Sequence, residues 1–144
     1  MKTYTKRIGI QTNDFQDILN ITEYIKQAVA DSKINNGVSY VITMHTTTGI
    51  TVNEDAECIR RDIITLFGNL VPDEGNYRHA RYLDFDGRLG VNAPSHLRSV
   101  LVGNHTVIPL QNGELVLGQR QSVFYLEFDG PQYREFVVTV IGET

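Results

Sequence analysis

From residue 105 onward the chain is punctuated by hairpin signals, and this most constrains what it can fold into. Asn112-Gly113 lies between Thr106-Val107-Ile108-Pro109-Leu110 and Glu114-Leu115-Val116-Leu117, the signature of a type I′ turn joining two antiparallel strands. Ser122 to Phe128 reads as a further strand, Asp129-Gly130-Pro131 as its turn, and Glu135 to Val140 as the returning strand. Strands joined this closely pair antiparallel, because parallel neighbours need a long crossover.

The first half mixes periods. Residues 3–10 read as an opening strand. Phe15, Ile18, Leu19, Thr22, Ile25 and Val29 fall on one helical face, which predicts a helix over 14–32 ending before Asn35-Asn36-Gly37. Val38 to Thr43 and Ile50 to Asn53 read as strands. Ala56, Ile59, Ile63, Leu66, Phe67 and Leu70 form the stripe of a second helix, with Asn53 or Asp55 available as its cap. Pro94 to Gly103 reads as a short third helix. With seven or eight strands, three helices and no internal repeat, the expected class is α+β: one domain over 1–144 with a largely antiparallel sheet.

At 144 residues the chain needs no disulfide to hold its core. A net charge of −4 argues against nucleic-acid binding, where a basic footprint is expected. The N-terminus lacks the apolar run of a signal peptide, and no apolar stretch approaches the ~20 residues that span a bilayer. The single cysteine, Cys58, fits a reducing compartment and reads as a packing residue. The expectation is a cytoplasmic protein without membrane or nucleic-acid partners.

Chemistry concentrates at Met44-His45-Thr46-Thr47-Thr48-Gly49, an imidazole, three hydroxyls and a glycine between two β-branched runs. A histidine at a strand end can project into a cleft. A polar turn with a capping histidine is the simpler reading of this segment alone. His79 lies in the polar stretch 72–94, and His96 at the start of the third helix. With His45 they are placed to converge, and three imidazoles plus water make an open metal site. His105 reads as structural.

Glu127 sits in the apolar run Val123-Phe124-Tyr125-Leu126-Glu127-Phe128, where alternation puts Val123, Tyr125 and Glu127 on one face. A carboxylate there needs a partner. It is either a structural ion pair with Arg120 or Arg134, a general base, or a group that orients a ligating histidine. Asn53 and Glu54 either share the His45 cleft or cap the second helix. Asp73-Glu74 and Asp84-x-Asp86 either recruit magnesium through a phosphorylated substrate or belong to a solvated loop. The arginines Arg60, Arg61, Arg78, Arg81, Arg88 and Arg98 suit a phosphate-bearing small molecule or a solvated surface. Neither a Gly-rich phosphate loop nor Gly-x-Ser-x-Gly occurs.

Several segments together resemble the YjbQ family, often labelled secondary thiamine-phosphate synthase. They are His45 to Glu54, Val71-Pro72-Asp73, Tyr77-Arg78-His79, Asn92 to Leu97, Ile108-Pro109, Gly113-Glu114-Leu115 with Leu117-Gly118, and Glu127 to Pro131. The resemblance implies a compact α+β fold built around a β-sandwich-like sheet, a homotrimer with clefts near subunit contacts, and a shared metal or anion site at His45, His79 and His96. The metal would be divalent, zinc or magnesium. The implied reaction couples a pyrimidine diphosphate to a thiazole phosphate and releases pyrophosphate. Its catalytic candidates are His45, Glu127, Asn53 and Glu54, with Thr46, Thr47, Arg78, Arg98 and Arg120 binding substrate. Two other readings stay open: a metal-dependent phosphate-ester hydrolase and a non-enzymatic trimeric metabolite-binding module. The chain departs from the family pattern at Gly118-Gln119-Arg120-Gln121, where Gly-Thr-Trp-Gln is common, in a longer loop from Ala80 to Val91, and at Glu57-Cys58, where Asp-Pro is expected.

Overall fold

The computed structural model describes residues 1–80 and 92–144. Two antiparallel sheets carry the fold. One has five strands: β1 (Lys2–Gln11), then β8 (Tyr133–Glu143), β3 (Asn36–Thr43), β5 (His105–Gln111) and β6 (Glu114–Leu115) in spatial order. The other has three: β2 (Asp17–Asn20), β7 (Gln121–Glu127) and β4 (Thr48–Glu54). Three helices, α1 (Thr22–Ser32), α2 (Glu57–Leu70) and α3 (Ala93–Val102), complete the expected α+β class, with a 3-10 turn at Arg78–Ala80.

β7 explains the layering. Every residue from Val123 to Phe128 is buried, because the three-stranded sheet is covered on both faces. Val123 and Tyr125 enter a core shared with β8, β3 and α1, including Phe136, Val138, Val41 and Ile25. Phe124, Leu126 and Phe128 enter a second core with Phe67 of α2. The Asn112-Gly113 turn closes β5 onto β6 with both residues at positive φ, 52° and 80°, as a type I′ hairpin requires.

The helix expected over 14–32 is two elements. Asp17–Asn20 pairs with β7 as a strand, and the helix begins only at Thr22. Asn20 Oδ1 accepts the Thr22 backbone N–H at 3.0 Å and the Thr22 hydroxyl at 2.6 Å, which fixes the change of direction. Ile18 and Leu19 point to opposite faces, so Ile18 joins the second core while Leu19 packs on the first. The second helix has no side-chain cap. Asp55 instead pairs with Arg60 and accepts from Asn20 Nδ2. Cys58 is exposed rather than packed. Among the described residues no helix is long and apolar enough to cross a membrane.

Candidate functional site

The segment between β3 and β4 crosses from one sheet to the other, and a buried hydroxyl cluster fixes its shape. The Thr43 and Thr48 hydroxyls share a hydrogen bond of 2.7 Å. The Tyr125 hydroxyl bonds both, at 2.9 Å and 3.2 Å. Thr43 Oγ1 accepts the His45 backbone N–H, and Thr48 Oγ1 donates to the His45 carbonyl, each at 3.3 Å. Gly49 lets α3 close on this turn: a Cβ there would lie 2.0 Å from Val102 Cγ1. Ser99 of α3 donates to the Thr48 carbonyl at 2.6 Å, and Ser95 to the Phe128 carbonyl at 2.6 Å.

His45 and His96 therefore face one cleft of about 430 Å³, with Thr46, Ser99, Val100 and Asn104 among its lining. The Glu135 backbone N–H donates to His45 Nε2 at 2.9 Å. The His79 ring meets the His96 ring edge to face, centroids 4.9 Å apart. Burial pushes the His45 imidazole below its ordinary pKa, and the Arg134 guanidinium adds to this against the opposing pull of Glu127 and Glu135. Burial also lowers His96, helped by His79, while a backbone hydrogen bond to Thr46 and the Asp129 carboxylate pull the other way. Both rings are accordingly neutral near pH 7.

Among the described residues no group of three His, Cys, Asp or Glu side chains is placed to hold one ion, the expected trio of His45, His79 and His96 included. The hydrogen bond at His45 Nε2 is the physical reason at that residue. A neutral imidazole that ligates through Nδ1 carries its proton on Nε2, and there the Glu135 N–H already points.

Glu127 is not a free base. Its carboxylate is fully buried and takes four donors: Arg134 Nε at 2.8 Å, Arg134 Nη2 at 2.6 Å, Thr12 Oγ1 at 2.7 Å and the Asp129 N–H at 3.1 Å. Arg134 Nη2 also donates to Thr47 Oγ1 at 2.8 Å, so Thr47 is buried framework while Thr46 lines the cleft. Arg98 faces away from the histidines. Its guanidinium is fully buried, donating to the Val71 carbonyl at the end of α2 and to Asp73. Asn53 and Glu54 sit roughly 16 and 20 Å along β4 from Thr48, at about 3.3 Å per residue. Glu54 approaches the exposed Arg120 there, at 3.9 Å, so this trio is apart from the cleft. Arg78 is exposed beside His79. Arg81, Asp84, Asp86 and Arg88 lie outside the described residues. A larger open groove, about 610 Å³ between α1 and residues 115–122, contains no histidine.

Ser99 and Asn104 line the cleft without having been singled out by any pattern in the sequence. Arg134 stood there only as one possible partner of Glu127. A signal for it exists: Arg134 alternates with Phe136, Val138 and Val140 on the buried face of β8, where a lone cation needs a carboxylate.

The sequence matches the family described as UPF0047 protein YjbQ-like over residues 6–143. The chain belongs to the YjbQ family. A UPF0047 protein of Methanocaldococcus jannaschii is 38% identical over 135 residues, covering 93% of this chain and 91% of the relative. YugU of Bacillus subtilis is 28% identical over 138 residues, covering 95% and 98%. Among solved structures, a YbjQ-like protein of unknown function from Sulfolobus solfataricus superposes with a TM-score of 0.90 at 30% identity, covering 99% of both chains. A YjbQ/UPF0047 protein from Clostridium acetobutylicum gives 0.86 at 31% identity, covering 94% of this chain and 99% of its own. The YjbQ fold thus carries the His45–His96 cleft on an architecture seen repeatedly.

Proposed function

We propose that this YjbQ-family chain is an enzyme acting on a phosphorylated small molecule in the His45–His96 cleft. The reaction is the transfer that the family resemblance implies. The nitrogen of a thiazole phosphate attacks the methylene of a pyrimidine diphosphate; a C–N bond forms, the C–O bond to diphosphate breaks, and pyrophosphate leaves. The nitrogen becomes quaternary without losing a proton, so the chemistry rests on alignment of the reactants and on donors to the departing oxygen.

One observation carries this reading: two imidazoles from distant segments line one cleft, where burial shifts both toward the neutral form. Neutral rings donate or accept hydrogen bonds without repelling Arg78, which stands exposed nearby for a phosphate. The divalent metal of the resemblance finds no three-histidine seat here, and no step depends on one. The resemblance's homotrimer belongs to the same reading. It is supported by apolar side chains left in water beside the cleft, Val100 at 77% and Leu101 at 55% exposure, and by Tyr40, Ile42 and Val107 on the five-stranded sheet.

The test is product analysis with a pyrimidine diphosphate and a thiazole phosphate, for the native chain and for His45→Ala and His96→Ala. The coupled product with released pyrophosphate, lost in both variants while circular dichroism is unchanged, supports the proposal. Inorganic phosphate without coupling replaces it with hydrolysis. Ligand-induced stabilisation without turnover replaces it with a binding module.

A further inference from the structure

The turn that joins β5 to β6 places a reactive pair of residues under restraint. Asn112 and Gly113 are both left-handed, at φ 52° and 80°. Asn tolerates that backbone better than most side chains, and Gly113 needs it twice over, because a Cβ there would also lie 3.1 Å from Asn35 Oδ1. The hairpin thus demands an exposed side-chain amide followed by an unhindered backbone nitrogen. Such a pair can cyclise. The Gly113 nitrogen gives its proton to hydroxide and attacks Asn112 Cγ. A C–N bond forms, the bond from Cγ to its amide nitrogen breaks, and ammonia leaves with a proton from water. Water then opens the five-membered imide at either carbonyl. The products are aspartate, or isoaspartate with one extra carbon in the main chain.

The fold withholds the geometry for this step. Closure needs the Gly113 nitrogen on the same side of the Cα–C bond as the Asn112 side chain. A type I′ turn sets ψ of its first central residue at about 30°, which puts that nitrogen on the far side. Residues 35 and 36 lock the turn there. The Gly113 N–H donates to the Asn35 carbonyl at 2.9 Å, so the nucleophile keeps its proton. The Asn112 N–H donates to Asn36 Oδ1 at 3.1 Å. Asn35 is itself tied to the end of β8, its N–H donating to the Glu143 carbonyl at 2.8 Å. The other pair of this kind, Asn36-Gly37, lies inside the ladder, with Gly37 opposite Leu110 of β5 and Gly142 of β8.

We infer that Asn112 is a latent modification site, kept unreactive by the clamp from Asn35 and Asn36 and converted irreversibly when this end of the hairpin opens. Isoaspartate lengthens a two-residue turn that has no room for another main-chain atom. β6 then cannot restore Gln111 opposite Glu114 and Leu110 opposite Leu115, and Leu115 leaves its packing on the first core. Opening of the sheet edge is thereby made permanent. The site stands at the end of β3 remote from His45, so it is independent of the function proposed above.

Peptide mass mapping of the full chain incubated at pH 8 tests this, since conversion adds one mass unit and electron-transfer fragmentation separates aspartate from isoaspartate. The native chain is expected to convert at Asn112 roughly tenfold or more slowly than the same chain in urea, because opening must come first. Asn36→Ala, with circular dichroism unchanged, is expected to convert about fivefold faster than native, the worth of one hydrogen bond. Asn36→Asp keeps the acceptor oxygen and should stay at the native rate. Native conversion as fast as in urea overturns the inference, as does Asn36→Ala at the native rate or an equal rise in both variants. The isoaspartate form, isolated by ion exchange from chain aged in urea and refolded, should unfold at lower urea than unaged chain. An equal midpoint would overturn the claim that the turn cannot hold it.

Discussion

Arg134 grips Glu127 with two nitrogens, Nε at 2.8 Å and Nη2 at 2.6 Å, and both side chains are out of water at 3% and 0% exposure. The pair ties three parts of the chain together. Thr12 after β1 donates to it, Asp129 after β7 donates to it, and Thr47 of the histidine turn accepts from it. Burying two charges is costly, and the return comes only when every lone pair is met, as at this carboxylate.

Removing one partner therefore leaves the other charged and unpaired in the core. Arg134→Met and Glu127→Leu are each expected to lose about 3–5 kcal/mol, measured by urea unfolding. The double variant should lose clearly less than the sum of the two, because no orphan charge remains. An additive double variant would show that the pair is not coupled.

The two lowered imidazoles set a pH dependence whose sign follows from linkage. In the unfolded chain each ring protonates near 6.5; in the folded chain it protonates only at lower pH. Below 6.5 the unfolded state thus binds more protons, and stability falls as pH falls. The contribution is fully present above about 6.5 and is lost progressively toward the folded values. Chemical unfolding of the native chain at pH 7.5 and 5.5 should show this loss, and His45→Asn or His96→Asn should each make it smaller. An unchanged difference in both variants would assign the loss to other groups.

Much of this architecture is legible in the amino-acid sequence. Asn112-Gly113 announces its hairpin, and the alternation in Val123 to Phe128 assigns its residues to two cores. The N-terminal error has a physical source: Phe15, Ile18, Leu19 and Thr22 fit one helical face, and only pairing with β7 makes Ile18 and Leu19 a strand. For the site, placement at strand and helix ends brought out His45 and His96. Composition could not reveal that the arginine of the Ser-His-Leu-Arg run turns inward, since Arg98 and His96 differ only in which side of α3 they occupy. Nor could spacing show that Asn53 and Glu54 follow their strand away from the cleft.

The apolar outer face of the five-stranded sheet gives the proposed homotrimer a direct test. Tyr40 and Val107 lie opposite each other on β3 and β5, at 43% and 44% exposure. Lysines at both positions put like charges side by side on a surface that association would dry. Sedimentation equilibrium is expected to give three chains for the native protein and one for Tyr40→Lys/Val107→Lys, with circular dichroism unchanged. A native protein that sediments as a single chain would end the trimer reading.

Arg98 invites a sharper experiment, because opposing magnitudes nearly balance there. Its Nη2 holds the Val71 carbonyl at 2.7 Å and Asp73 at 3.0 Å, a cation placed at the C-terminal end of α2, where the helix dipole favours it. Its Nε and Nη1 are buried and make no hydrogen bond among the described residues. Each unmet donor costs about 1–3 kcal/mol, and each bond to a charged group contributes about 1.5–3 kcal/mol, so neither side dominates. Arg98→Met fills the same space without the orphan donors, and its stability should stay within about 1 kcal/mol of native. Asp73→Asn is different. It removes the only carboxylate paired with Arg98 among the described residues and should lose about 1 kcal/mol, held to that by the 65% exposure of Asp73. In the Arg98→Met background the same Asp73→Asn change should lose almost nothing, and urea unfolding of the four proteins measures the coupling. A loss beyond about 3 kcal/mol for Arg98→Met alone would show that its two hydrogen bonds outweigh the two donors it leaves unmet.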